Sequence, residues 1–174
     1  MIVSVCSYLT IIMFEPHSIY SMRLAKKGEL ITHHKDKAVL TLMNMDSIVE
    51  TDFLTVRPNM DLGEMVKIIS KSFRNQFPVV DVGGELIGMV VLDDIRNIIF
   101  RQELYHRFHV EGFMKVPKTR IVNTDSMEEV MEKFDTTGAW NLPVVDREGK
   151  YIGMVSKSKM LNTYRQVMVD FSEE

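Results

Sequence analysis

The sequence has one cysteine, Cys6, and one tryptophan, Trp140, among 174 residues. A single thiol excludes an intrachain disulfide framework and any zinc cluster built from cysteines, and it suits a reducing compartment. Excess positive charge is also absent: 21 Lys and Arg stand against 24 Asp and Glu, a net charge of −3. Nucleic-acid binding needs clustered Lys and Arg to displace counterions, so no nucleic-acid partner is expected. Nor does residues 2–14, apolar or hydroxylic throughout, reach the ~20 residues of a complete membrane helix. Catalytic groupings are missing. There is no phosphate-binding glycine loop, and the five histidines (His17, His33, His34, His106, His109) accompany no nucleophile, so no enzyme activity is expected. His33 and His34 have no partner at ligand spacing and read as polar linker, so no metal site is expected. What is present is globular: 45% apolar and 26% charged residues, with the fourteen methionines serving as flexible core filler.

The first forty residues stand apart. Residues 2–14 read either as a buried helix or, preferably, as the tail of a membrane helix that begins before Met1. The basic residues that follow, Arg23, Lys26, Lys27, Lys35 and Lys37, would then mark the cytoplasmic side. Pro16 opens and Gly28 closes a second short helix, whose last turn carries Lys26 and Lys27. The expected organisation is a membrane-derived segment over 1–28, a linker over 29–45, and two further units over 46–109 and 110–174.

Those two units are copies of one another. Residues 78–90, PVVDVGGELIGMV, match residues 143–155, PVVDREGKYIGMV, at nine of thirteen positions with a constant offset of 65. In each copy two apolar runs flank a turn, a hairpin signal. Before the hairpin, Leu62, Met65, Val66 and Ile69, or Met127, Val130, Met131 and Phe134, recur at helical spacing. A further helix is expected to open near Asp93 and near Ser156. Extended segments, Leu54-Thr55-Val56 and Ile121-Val122, precede both helices. The expected fold is α+β: two β-α-β-β-α units related by pseudo-twofold symmetry, each with helices on one sheet face and its other face packed on its partner. Stripes carrying Ile95, Ile98 and Ile99, or Met160, Leu161 and Tyr164, exceed what one sheet face covers and predict a homodimer.

The repeated PVVD-x-x-G-x-x-IGMV followed by a helix resembles the CBS (cystathionine β-synthase-type) module, which comes in pairs that often bind adenine nucleotides in clefts between the copies. The stretch from Phe14 to Met43 resembles the last membrane helix and linker of prokaryotic CLC chloride channels and transporters. That resemblance implies a regulatory pair on the cytoplasmic side of a multi-pass protein in the cell membrane, with its own transporter domain as partner. It also implies a chloride-touching hydroxyl at Tyr20, whose other reading is an interfacial helix residue. A freestanding soluble CBS pair that senses adenine nucleotides is the alternative; a regulatory insert of an IMP dehydrogenase is the third.

The family's ligand signature is Gly, two apolar residues, Thr or Ser, two residues of any type, then Asp. Copy one reads Gly88-Met89-Val90-Val91-Leu92-Asp93-Asp94, with the acid but no hydroxyl. Copy two reads Gly153-Met154-Val155-Ser156-Lys157-Ser158-Lys159, with the hydroxyl but a lysine for the acid. The resemblance places Thr55 and Arg74 opposite Lys159 in one cleft. Lysine has no acceptor for a ribose diol, so ATP, ADP and AMP are expected to bind this pair weakly or not at all, although Arg74, Lys157 and Lys159 would favour a phosphate-rich anion. Asp94 marks the better remaining site. Trp140 reads as a core residue or as a cover for a base.

Overall fold

The computed structural model describes residues 39–172, all within one compact unit, Val39–Glu174. The expected membrane-derived helices over 1–28, with Tyr20, lie outside the described residues. Within them the order is α1 (Met45–Ile48), β1 (Val49–Glu50), α2 (Leu62–Ile69), β2 (Gln76–Val80), β3 (Leu86–Val91) and α3 (Leu92–Ile95). The second half continues with β4 (Ile121–Val122), α4 (Met127–Thr137), β5 (Asn141–Val145), β6 (Tyr151–Ser156) and α5 (Lys157–Ser172).

Each hairpin forms where the sequence places it, for a local reason. Asp81 Oδ1 accepts the Glu85 N–H at 2.8 Å, and Asp146 Oδ1 accepts the Lys150 N–H at 2.8 Å. The chain then reverses through Gly84 and Gly149 at φ 85° and 88°, a left-handed conformation that favours glycine. The repeated D-x-x-G is therefore a turn requirement. Helices α2 and α4 open on matching capping boxes, Asp61 with Glu64 and Ser126 with Glu129.

Two sheets result, as expected. Strands β2 and β3 pair antiparallel, and the extended segment before them contributes a single parallel bridge, Val56 to Val79. Its counterpart 65 residues on is a true strand, β4, parallel to β5. Backbone bonds join the hairpin ends: Leu86 N–H donates to the Gly149 carbonyl at 3.0 Å and Tyr151 N–H to the Gly84 carbonyl at 2.9 Å. Phe53, Leu86, Met89, Val145 and Met154 form a cluster shared by the copies.

One feature differs from a simple tandem. Strand β1, at the start of copy one, completes the sheet of copy two, giving the order β1-β6-β5-β4, with Val49 opposite Val155 and Glu50 opposite Met154. Met43, Met45 and Ile48 accordingly sit in the core of copy two with Val130, Phe134 and Met160. The exchange is reciprocal. Lys115, 65 residues after Glu50, bridges Met89 of copy one through backbone bonds of 2.8 and 2.9 Å.

The helices after the hairpins are unequal: α3 has 4 residues and α5 has 16. The chain beyond α3 folds back onto the start of α2, where Leu62 N–H donates to the Phe108 carbonyl at 2.9 Å and Val110 N–H to the Met60 carbonyl at 2.9 Å. That return cuts the helix short. Ile95, Ile98 and Ile99 are consumed in the core of copy one, and Met160 with Tyr164 in that of copy two. The stripes that predicted a dimer are thus largely covered within the chain.

The close approach of β1 to β6 rests on Gly153. A Cβ there would lie 2.7 Å from the Glu50 carbonyl oxygen and 2.7 Å from Val49 Cγ1. At the equivalent Gly88 the nearest atom is Met114 Sδ at 2.9 Å, on a flexible side chain. Gly153→Ala is therefore expected to lower stability by about 1–3 kcal/mol and Gly88→Ala by clearly less, read from urea unfolding midpoints. Equal losses would contradict this packing.

Candidate functional site

The exchange of β1 and the segment around Lys115 creates two clefts between the copies, related by the 65-residue offset. Glu50 ends β1 at the mouth of the first. Its side chain is 18% exposed and accepts a hydrogen bond from Ser156 Oγ at 2.7 Å. Arg74, between α2 and β2, pairs with Glu50 from the other side. The same guanidinium donates to Asp52, with Nε to Oδ2 at 3.1 Å and Nη2 to Oδ1 at 2.9 Å. It stacks 4.5 Å above the ring of buried Phe53, a cation–π contact. Hydrogen bonds that Arg74 donates to Asp52, and then to Glu50, raise its pKa above its ordinary value against the cost of burial. Ser156 Oγ in turn accepts the Lys159 N–H at 3.1 Å, as a helix cap does.

The sequence expected Arg74 to favour a phosphate-rich anion and Ser156 to supply the signature's hydroxyl to a ligand. Instead, both are spent on carboxylates. Arg74 does not stand ready for an anion, because Asp52 and Glu50 already hold it. Lys159 contributes its backbone to the cap while its side chain is exposed, and Lys157 Nζ donates to Asp135 at 3.1 Å. Thr55 is exposed beside the Val56 bridge. Tyr151, packed with Phe53, has a buried hydroxyl without a hydrogen-bond partner among the described residues. Burial, with the nearby Asp52 charge, pushes its pKa well above the usual phenol value, so it remains protonated.

In the second cleft the charges are reversed. Asp94 pairs with Lys115 at 2.8 Å, and the lysine side chain is 67% exposed. Where the first cleft has Arg74, Asp52, Phe53 and Thr55, the offset brings Ala139, Pro117, Lys118 and Arg120. The wall formed by Leu86, Ile87 and residues 116–120 lines a cavity of about 370 Å³. A lone, exposed Lys–carboxylate pair contributes roughly 0–1 kcal/mol and is readily exchanged for a ligand. An arginine gripped by two carboxylates is held more firmly, through geometry as well as charge. Trp140 is 72% exposed, so the core reading is corrected; its carbonyl accepts the Lys157 N–H at 2.8 Å.

The structure therefore brings Arg74 and Ser156 together, leaves Asp94 in the other cleft, and reveals Glu50, Asp52, Phe53 and Lys115, which the sequence reading missed. The signal for two of them was present: Glu50 and Lys115 occupy one repeat position with opposite charge.

Comparison with known proteins matches residues 45–101 and 110–165 to the CBS domain. A CBS domain-containing protein of Dictyostelium discoideum is 25% identical over 131 residues, covering 70% of this chain and 90% of that protein. Among solved structures, CbpB in complex with c-di-AMP superposes with a TM-score of 0.65 at 14% identity, over 80% of this chain and 96% of that one. CBSX2 in complex with AMP gives 0.58 at 20% identity, over 71% and 96%. The chain spans 29% of the length of two enzyme relatives, a homoserine O-acetyltransferase of Methanosphaera stadtmanae and an inosine-5'-monophosphate dehydrogenase of Methanocaldococcus jannaschii. The expected multi-pass location in the cell membrane is overturned. The fold of this chain covers nearly the whole length of CbpB and of CBSX2, and among the described residues no helix is long and apolar enough to cross a membrane.

The Arg74 network crosses from copy one to copy two and should stabilise their contact. Arg74→Ala is expected to cost about 1–2 kcal/mol in chemical denaturation, with Arg74→Lys rescuing little because it cannot grip two carboxylates at once. A loss below ~0.3 kcal/mol would show that the network contributes nothing to stability.

Proposed function

Because the chain belongs to the CBS-domain family, we propose that it is a regulatory pair reading an adenine nucleotide in the cleft around Asp94. The observation that carries this is the exposed Asp94–Lys115 pair, whose lysine directly precedes the residues 116–120 that line a cavity. Asp94 supplies the acceptor that a ribose diol requires. Lys115, Lys118 and Arg120 supply donors and positive charge for phosphate. The AMP and c-di-AMP carried by CBSX2 and CbpB support an adenine-bearing ligand here.

Such a ligand touches residues of both copies and stabilises their closed arrangement by mass action; no catalytic step is proposed. The chloride-transporter assignment rested on the resemblance of residues 14–43, most of which lie outside the described residues, and it implied a membrane location now overturned; the nucleotide reading needs neither. The pair is further proposed to work as a homodimer. Phe100, Leu161, Met168 and Val169 remain 81%, 37%, 38% and 54% exposed, and light scattering that finds only monomer at tens of micromolar would refute this.

Calorimetric titration of the full chain with AMP, ADP and ATP tests the ligand. Binding is expected, and Asp94→Asn should weaken it by about 1–3 kcal/mol, roughly tenfold to a hundredfold. Absence of both heat and thermal shift at millimolar nucleotide would sink the proposal.

A further inference from the structure

We propose that Arg74 is the permanent occupant of the first cleft, so that each chain offers one nucleotide site rather than the two its repeat suggests. The ligand class rests on the function proposed above; the closure of the first cleft rests on geometry alone. Pseudo-twofold symmetry makes the comparison internal to the molecule. Glu50 pairs with Met154 as Lys115 pairs with Met89. Lys157 N–H donates to the Trp140 carbonyl at 2.8 Å, just as Leu92 N–H donates to the Asn75 carbonyl at 2.8 Å. Arg74 and Ala139 immediately precede those two acceptors, so they hold equivalent places on one backbone frame.

On that frame the second cleft carries a methyl group where the first carries a guanidinium stacked on Phe53 and bonded to Asp52 and Glu50. Ser156, the hydroxyl that a phosphate would need, already donates to Glu50 and accepts from the Lys159 backbone. A phosphate brought there would meet the Glu50 carboxylate. The first cleft is closed by its own side chains and has the wrong sign for a nucleotide.

The test is stoichiometry, measured by calorimetry on the full chain with AMP and ATP as probes. The wild type should bind one nucleotide per chain, and Asp94→Asn should weaken all of that binding together. Two nucleotides per wild-type chain, or an undiminished site surviving Asp94→Asn, would overturn the assignment while leaving the nucleotide reading intact.

A graft tests Arg74 directly. Glu50→Lys, Asp52→Asn, Thr55→Arg, Arg74→Ala and Lys159→Asp together give the first cleft counterparts of Lys115, Arg120, Ala139 and Asp94, and should add one site per chain. A folded graft with no added site refutes the proposal, whatever the wild type does. A wild type that binds nothing beside a graft that binds one would support the closure by Arg74 and overturn the proposed function. Should the graft not fold, Glu50→Gln, Arg74→Ala and Lys159→Asp together are read in the same way.

Discussion

The structure depends on a reciprocal loan of backbone. Residues at the start of copy one pair with the last strand of copy two, Val49 and Glu50 against Val155 and Met154. The segment that opens copy two does the same for copy one through Lys115 and Met89. Neither sheet is complete without residues that the sequence order assigns to the other half. Separating the copies would leave ladder donors and acceptors unpaired, which is costly wherever water cannot replace them. The side chains that decide the chemistry sit at these same crossing points. Glu50 and Lys115 are at the mouths of the clefts because they are where the borrowed strands end.

This explains why the copies agree in some places and diverge in others. Gly88 and Gly153 serve the close approach of the borrowed segment; Asp81 and Gly84, like Asp146 and Gly149, serve the turn. These positions answer to backbone geometry, which symmetry imposes on both halves. Cleft positions answer to whatever occupies the cleft, and there the repeat departs from itself: Glu50 against Lys115, Arg74 against Ala139, Lys159 against Asp94. One cleft is drawn closed by attraction among its own groups. The other holds a weak, exposed pair beside a cavity.

Much of the fold was legible in the sequence because it is written in local patterns. The 65-residue offset, the hairpin turns and the apolar spacing of α2 and α4 each follow from a few neighbouring residues, and the two facing sheets follow from them. Strand β1 was not legible. Two residues carry no periodicity, and their partner lies more than a hundred positions away. The truncation of α3 was hidden for a similar reason, since it is imposed by the return of residues 105–110 onto α2. At the site, residue types were read correctly but their partners were not. Arg74 looked like an anion ligand until Asp52 and Glu50 appeared beside it, and Trp140 looked like core until the chain left it at the surface.

The inequality of the clefts bears on how such a pair would transmit a signal. A ligand shifts a conformational equilibrium only by its differential affinity for the two states. With two equal open clefts, ligands on opposite sides of one pseudo-twofold axis would bias the copies symmetrically. With Arg74 tying copy one to Glu50 and, through it, to Ser156 of copy two, one side is fixed without ligand. If the first cleft is held in this way, a ligand-driven change in contact between the copies would fall on the side of Asp94 and Lys115, with the clamped cleft as its pivot. A domain that must turn occupancy into a direction of movement gains from that asymmetry, because a fixed point on one side converts closure on the other into rotation.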